Sequence, residues 1–398
     1  MNKESIFLDN ASTTNLSAEV LNSMLPVMTN SFGNSMSNHS FGQEASNLIE
    51  NARNIVAESI NAKSNEIYFT SSGSEANSWA IVGIANANRN KGNHVVVSSI
   101  EHPSILKACK YLEKEGFEVT YLNVDRNGFI NFAELLRSLK ANTILVSIIA
   151  ANNEIGTIQN IKAISSTAHE KGIIFHTDAV QLYGNMDLDV SDLGIDAMTI
   201  SSHKIYGPKG VGALYVSNSV KISPIVFGGN QERGVRGGTS NTEGIVGFGK
   251  ACEIAMRDMR TNNHKVRSLS EYFTTKLADT VPNIIFNLTT RQKLPQIISV
   301  KFVGVDGESL MTKLDMNGVA VSTGSSCSND LFSVSRVLTS IGLSNEDAKC
   351  TIRFSIGKNN SYEEIDKAIS IISKSVEELR EFSSTYGLKI RKRKGDVR

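Results

Sequence analysis

The chain has 398 residues, with 41 Lys and Arg against 40 Asp and Glu, so no strong overall field points to nucleic acid or a membrane surface. Hydrophobic residues at 40% and charged residues at 20% describe an ordinary globular protein, long enough for a large core and about two domains. No apolar run approaches the roughly eighteen residues of a membrane span. The amino terminus enters Ile6-Phe7-Leu8 without a signal-peptide core, and four cysteines lack framework spacing, so a cytoplasmic location is expected.

Residues 6–8 read as a short strand closed by the polar turn Asp9-Asn10-Ala11-Ser12-Thr13-Thr14. Ala45, Leu48, Ala52, Ile55, Val56 and Ile60 recur on one face, which predicts a helix over 43–60. Strand-like runs follow at 67–70, 95–98, 119–122, 144–149, 173–177, 197–201 and 211–216, mostly separated by helical stretches. Nearly continuous apolar strands between helices imply an α/β fold with a mostly parallel sheet covered on both faces. Ligands of such sheets bind outside the carboxyl ends of the strands, so the loops there are the candidate site.

In chain order, Ser71-Ser72-Gly73-Ser74-Glu75-Ala76-Asn77 opens a helix with small residues and can cradle a phosphate, although a plain N-cap also explains Ser74. Glu101-His102-Pro103-Ser104 offers a histidine that could stack on a planar ring or carry protons, or could simply bond backbone in its turn. Ala151-Asn152-Asn153-Glu154-Ile155-Gly156 offers amides to a polar ligand. Asp178 ends one apolar run, and Lys204, in Ser201-Ser202-His203-Lys204-Ile205-Tyr206-Gly207-Pro208-Lys209-Gly210, ends another. A lysine at a buried strand end is partly desolvated, which lowers its pKa and frees its amine, as a Schiff-base lysine requires. A carboxylate for a ring nitrogen and an amine for an aldehyde suit a pyridoxal phosphate site, whereas Lys204 alone would read as a solvated turn.

The glycine-rich stretch 228–239, with Arg233 and Arg236, is too irregular for an element. Helical patterning then covers about 241–279, with an interruption expected near Thr261-Asn262-Asn263, and bridges to a smaller domain. Strands at 297–302, 319–322 and 351–355 and helices at 309–314 and 363–379 build that domain. Cys109, Cys252 and Cys350 sit among apolar neighbours as core residues. Cys327 differs, because Ser322-Thr323-Gly324-Ser325-Ser326-Cys327-Ser328-Asn329-Asp330 cannot pack a core. A thiol in such a loop could travel towards a substrate, or could be incidental.

Taken in order, Phe7-Leu8-Asp9-Asn10-Ala11-Ser12-Thr13-Thr14, Asn152-Asn153-Glu154-Ile155-Gly156, His176-Thr177-Asp178-Ala179-Val180-Gln181, Ser202-His203-Lys204-Ile205-Tyr206-Gly207-Pro208-Lys209-Gly210 and Thr351-Ile352-Arg353-Phe354-Ser355-Ile356-Gly357 closely resemble the NifS/IscS-type cysteine desulfurases of the class V aminotransferase group. The resemblance runs from about residue 6 to 379 and, from the long segment after Cys327, is to the subgroup with an extended mobile cysteine loop. It implies a fold-type I, pyridoxal 5'-phosphate-dependent transferase. The large cofactor domain, with its seven-stranded sheet, would span 15–260; a smaller α/β domain of 1–14 and 261–398 would carry the cysteine loop. It places the cofactor on Lys204, the pyridinium partner on Asp178, the stacking, proton-shuttling histidine at His102 and the ring-hydroxyl donor at Gln181. Gly73, Ser74, Ser201 and His203 match the phosphate cradle, while Thr239 matches a threonine that reaches the neighbouring subunit's phosphate in a homodimer. Asn153 and Arg353 match the groups that orient the substrate and clamp its carboxylate, and no metal is expected.

The implied reaction turns L-cysteine into L-alanine, with Cys327 collecting the sulfur as a persulfide for a sulfur-acceptor protein. Iron–sulfur assembly, tRNA thiolation and DNA phosphorothioation all draw on such enzymes. Alternatives are a selenocysteine lyase or aminotransferase in which Cys327 is incidental, and a non-catalytic sulfur-relay scaffold. The chain departs from the pattern at Gly33-Asn34-Ser35-Met36, where many relatives carry Asn-Pro, and at Val334-Ser335, where Pro-Ser is common. The basic tail Lys389-Ile390-Arg391-Lys392-Arg393-Lys394 reads as solvated, and direct nucleic-acid contact is not expected.

Overall fold

A computed structural model describes residues 5–323 and 334–382. Its strands are β1 (Ile6–Phe7), β2 (Ile67–Thr70), β3 (His94–Ser98), β4 (Glu118–Leu122), β5 (Thr143–Ser147), β6 (Ile174–Asp178), β7 (Ala197–Ser201), β8 (Gly212–Val216), β9 (Ile284–Phe286), β10 (Ile297–Phe302), β11 (Val319–Ala320), β12 (Ser322–Thr323) and β13 (Thr351–Ser355). Seven of them form one sheet in the order β2-β8-β7-β6-β5-β3-β4. All neighbours pair in parallel except at β8, which runs antiparallel to both β2 and β7. The apolar runs expected as strands are these seven, and the sheet is mostly parallel.

Alternation along each strand sends side chains to both faces, and both faces are covered. Val96, Val146, Phe175, Met198 and Tyr215 pack beneath residues of the helices Ala18–Asn30, Ser40–Glu58 and Thr242–Thr280. Val95, Val97, Leu145 and Leu214 pack instead against Ala76, Trp79, Ile84 and Ile105 of the helices Gly73–Ala87 and Pro103–Lys114. A separate antiparallel sheet, β12-β13-β10-β9, buries Val300, Phe302, Ile352 and Phe354 against the helices Gly307–Met316 and Tyr362–Glu381.

The interruption expected at 261–263 is absent: helix Thr242–Thr280 runs unbroken for 39 residues. Thr and Asn are weak helix formers, but the stretch holds no Pro or Gly, and packing at both ends outweighs a propensity deficit of a few tenths of a kcal/mol per residue. Ile245, Phe248 and Ile254 enter the core of the large sheet, whereas Leu269, Phe273 and Leu277 enter that of the smaller one.

β1 pairs with β11 in a two-stranded sheet of its own, and Asp9 bridges to Ser355 of β13, so the chain's start lies against the smaller antiparallel sheet. The following turn crosses to the larger one, where Thr14 N–H donates to the His203 carbonyl at 3.0 Å.

Candidate active site

The carboxyl ends of β2, β3, β5, β6 and β7 all open on one cavity of about 350 Å³. Gly73, Ser74, His102, Asn153, Asp178, Gln181, Ser201, His203, Lys204 and Arg353 line it together. Ten candidates that are scattered over 281 positions of sequence, from 73 to 353, are neighbours in space.

Lys204 sits in a single 3-10 turn, Ser202–Lys204, directly after β7. Its Nζ donates to the Ser12 carbonyl at 2.6 Å and to the Ala11 carbonyl, so the N-terminal turn holds the amine at the cavity wall. Tyr206 adopts φ +65° two residues later, a left-handed conformation costly for a bulky residue. Thr14 Oγ1 accepts from its N–H at 2.9 Å, and its hydroxyl accepts from Lys358 N–H at 2.9 Å, contacts that hold the sharp turn in place.

Asp178, the last residue of β6, is buried. Its Oδ1 accepts from Val180 N–H at 3.0 Å and its Oδ2 from Asn77 Nδ2 at 2.7 Å. Asn77 Nδ2 also donates to Ser104 Oγ at 3.0 Å, and Ser104 Oγ lies 2.7 Å from His102 Nδ1. Because Ser104 N–H donates to that same nitrogen at 3.2 Å, Nδ1 is an acceptor and the neutral ring carries its proton on Nε2. Burial, with a contribution from Lys204, pushes the His102 pKa down despite Asp178. One hydrogen-bonded chain thus ties the candidate pyridinium partner to the candidate stacking ring. Asn77 and Ser104 were not singled out from sequence; the signal was their place in the two strand-to-helix turns that were.

The cradle lies at the amino end of helix Gly73–Ala87, where Ser72 Oγ caps Glu75 N–H at 3.2 Å. A Cβ at Gly73 would lie 3.0 Å from Val180 Cγ2 and 3.4 Å from Ser201 Cβ, so glycine keeps this approach clear without its neighbours having to shift. Ser201 Oγ is buried with no hydrogen-bond partner, an orphan hydroxyl that a phosphate oxygen would satisfy. His203 Nδ1 meets Thr13 Oγ1 at 3.0 Å, and burial, with Lys204 and Lys209 nearby, pushes its pKa down to about 4.

Arg353, on β13, is also buried. Its Nη2 donates to Asp9 Oδ1 at 2.7 Å and Ser12 Oγ at 2.6 Å, and its Nη1 to the Asn153 carbonyl at 3.0 Å, while Nε has no partner. The smaller sheet therefore supplies the cavity's guanidinium. Gln181 Nε2 donates to the Ala11 carbonyl at 2.8 Å.

Thr239 is not at this cavity. It is exposed beside a second one of about 170 Å³, with Thr70, Ser71 and Arg236. Cys327 lies outside the described residues. Cys109, Cys252 and Cys350 are buried, as expected of core residues. Among the described residues no cluster of metal-ligating side chains occurs, and no helix is long and apolar enough to cross a membrane.

A lysine, an aspartate and a helix-end cradle at the carboxyl edge of such a sheet define a fold-type I pyridoxal phosphate-dependent enzyme. The chain belongs to the Aminotransferase class-V family, whose model matches residues 6–368. It is 46% identical over 388 residues to a protein named "Cysteine desulfurase IscS" from Clostridium botulinum (strain Hall), covering 97% of this chain and 98% of that one. Among solved structures, a "NIFS-LIKE PROTEIN" superposes with a TM-score of 0.89 at 33% identity, covering 94% of this chain and all of that one. One titled "SspA in complex with cysteine" gives 0.80 at 36% identity, over 90% of this chain and 100% of that one.

Pyridoxal 5'-phosphate, the cofactor of this family, fits the residues present. The orphan Ser201 hydroxyl and the Gly73 approach suit its phosphate, buried Asp178 its ring nitrogen, and Lys204 Nζ its aldehyde.

Proposed function

We propose that the chain is a cysteine desulfurase, taking L-cysteine to L-alanine and passing the sulfur through Cys327 to an acceptor. The observation that carries this reading is the convergence of Lys204, Asp178, His102 and Arg353 on one cavity. Full-length likeness to a protein named cysteine desulfurase, and to a solved relative titled as a cysteine complex, supports the substrate.

Pyridoxal phosphate, when bound, supplies an electron sink for the negative charge left at the substrate Cα. The remaining tasks fall to the chain. Lys204 Nζ would hold the cofactor aldehyde, and its amine would take the substrate Cα proton. Asp178, oriented by Asn77, would hold the ring nitrogen and keep it protonated. His102 would stack on the cofactor ring and could move a proton at Nε2. Arg353 would bind the substrate carboxylate, while Asn153 would help orient the substrate. Cys327 Sγ, as thiolate, attacks the substrate sulfur: an S–S bond forms, the substrate Cβ–S bond breaks, and the carbon fragment leaves as alanine after protonation.

The same reading assigns residues 15–260 to a large cofactor domain and 1–14 with 261–398 to a smaller one. It makes the protein a homodimer in which Thr239 serves the neighbouring phosphate. The buried free thiols of Cys109 and Cys252 support a reducing, cytoplasmic setting. The persulfide's destination is a nucleophilic acceptor in iron–sulfur assembly, tRNA thiolation or DNA phosphorothioation.

The test follows alanine release from sulfur-labelled cysteine. Lys204→Ala is expected to lower the rate by about 100- to 10,000-fold, and label is expected on Cys327 of the wild type. Alanine release at an undiminished rate by Cys327→Ala would instead favour a lyase or aminotransferase.

A further inference from the structure

Glu75 stands in the first turn of the helix whose amino end forms the phosphate cradle. An uncompensated carboxylate there would repel a phosphate. In this chain it is fully engaged: Arg236 Nε donates to Oε1 at 2.8 Å and Nη2 to Oε2 at 3.0 Å, while Ser71 N–H and Oγ reach Oε2 at 2.8 and 2.5 Å. The two side chains are only 14% and 18% exposed, so the pair is bidentate and largely shielded from water. Burial pushes the Glu75 carboxyl up, but the Arg236 and Ser71 bonds outweigh it and hold the pKa below the usual range.

Arg236 lies three residues before Thr239, in a segment whose shape is imposed from outside. Glu232 and Arg233 adopt φ +42° and +60°, left-handed values that neither residue favours. They are held because Glu232 takes a bidentate bond from buried Arg53 at 2.7 and 2.9 Å and accepts from Phe69 N–H at 2.9 Å. Arg233 Nη2 donates to the Ile67 carbonyl at 2.7 Å. Arg236 pins the next stretch to the cradle helix, and Thr239 emerges exposed immediately beyond it.

We propose that the Glu75–Arg236 pair is a strut between the phosphate cradle and the subunit interface, so that cofactor binding and dimer association reinforce one another. The inference rests on the dimeric reading, in which Thr239 serves the neighbouring subunit. Glu75 and Arg236 act as positioning residues: the cradle helix can seat a phosphate in its best position only when the strut also presents Thr239 to the partner. Reciprocity then requires that the cofactor tighten the dimer by the factor with which dimerisation tightens the cofactor.

The test measures the dimer dissociation constant of the full chain by sedimentation, with and without pyridoxal 5'-phosphate. Cofactor affinity is read separately from absorbance. In the wild type the cofactor is expected to tighten the dimer by about 5- to 150-fold. In Glu75→Gln, Arg236→Met and the double variant this ratio is expected to fall towards one. Arg236→Met alone leaves the Glu75 charge uncompensated in the first turn of the cradle helix, so it should bind the cofactor more weakly than the double variant. A pair that merely stabilises the fold would weaken the dimer equally in both states, and an unchanged ratio in Glu75→Gln overturns the strut alone. A wild type monomeric in both states overturns the dimeric reading and the strut with it. Should Arg236→Met fail to fold, the near-isosteric Glu75→Gln decides the question.

Discussion

Glu101, beside His102, is a buried carboxyl with an unusual task. Its Oε1 accepts from Ser98 Oγ at 2.5 Å and from Ile149 N–H at 2.8 Å, which ties the ends of β3 and β5, while Oε2 has no partner. Burial, with Asp178 nearby, pushes its pKa up to about 8 despite those bonds. The folded protein therefore holds a proton that the unfolded chain releases near pH 4.5. The stabilisation by this group is fully present below that value and is lost as pH rises through about 8. Glu101→Gln keeps the acceptor oxygen and has no charge to bury. Urea unfolding should show the variant losing less stability than the wild type between pH 7 and about pH 9. His102 itself was legible as a candidate from its turn, but its tautomer was not, because that depends on Ser104 and Asn77 closing a chain of bonds to Asp178.

At the scale of elements, the strands of the large sheet were readable because those at its centre, β3, β5, β7 and β8, are short apolar runs with both faces buried, a pattern that local sequence carries by itself. The helix Thr242–Thr280 was not readable as one piece, since its middle is held by what lies beyond it: Asn263 Nδ2 donates to the Asn185 carbonyl at 2.7 Å, and the two ends belong to different cores. The segment after β8 was equally opaque. Its glycines announced a loop, but its form depends on Arg53, whose side chain and that of Glu232 are each 4% exposed. A buried pair broken on one side leaves an unpaired charge out of water. Glu232→Ala should cost about 3–5 kcal/mol in chemical denaturation, and the apolar double replacement Arg53→Met, Glu232→Leu should cost less. Equal losses in the two would show that the pair's charges are not what fixes the loop.

For the whole molecule, the dimeric reading makes a prediction that no single chain can meet. Chains carrying Lys204→Ala lack the cofactor anchor, and chains carrying Thr239→Val lack the group meant for the neighbour. A mixed dimer would join an intact Lys204 to the intact Thr239 of its partner, giving one complete site in two. Co-refolded mixtures should retain covalently bound cofactor near about half the wild-type level per mixed dimer, above either variant alone. Retention equal to the average of the two parents would mean that Thr239 serves its own chain. The sequence by itself determined the α/β class, the mostly parallel sheet and the turns that carry Gly73, His102, Asp178 and Lys204, because burial pattern and turn chemistry are local properties. Only the tertiary structure decided that Arg353 of the smaller sheet enters the same cavity, that Asp9 and Ser12 hold it there, and that Arg236 cancels the charge of Glu75. Those pairings join residues 161 to 344 positions apart, and a contact across such a separation is set by how whole sheets and helices pack, which no local pattern records.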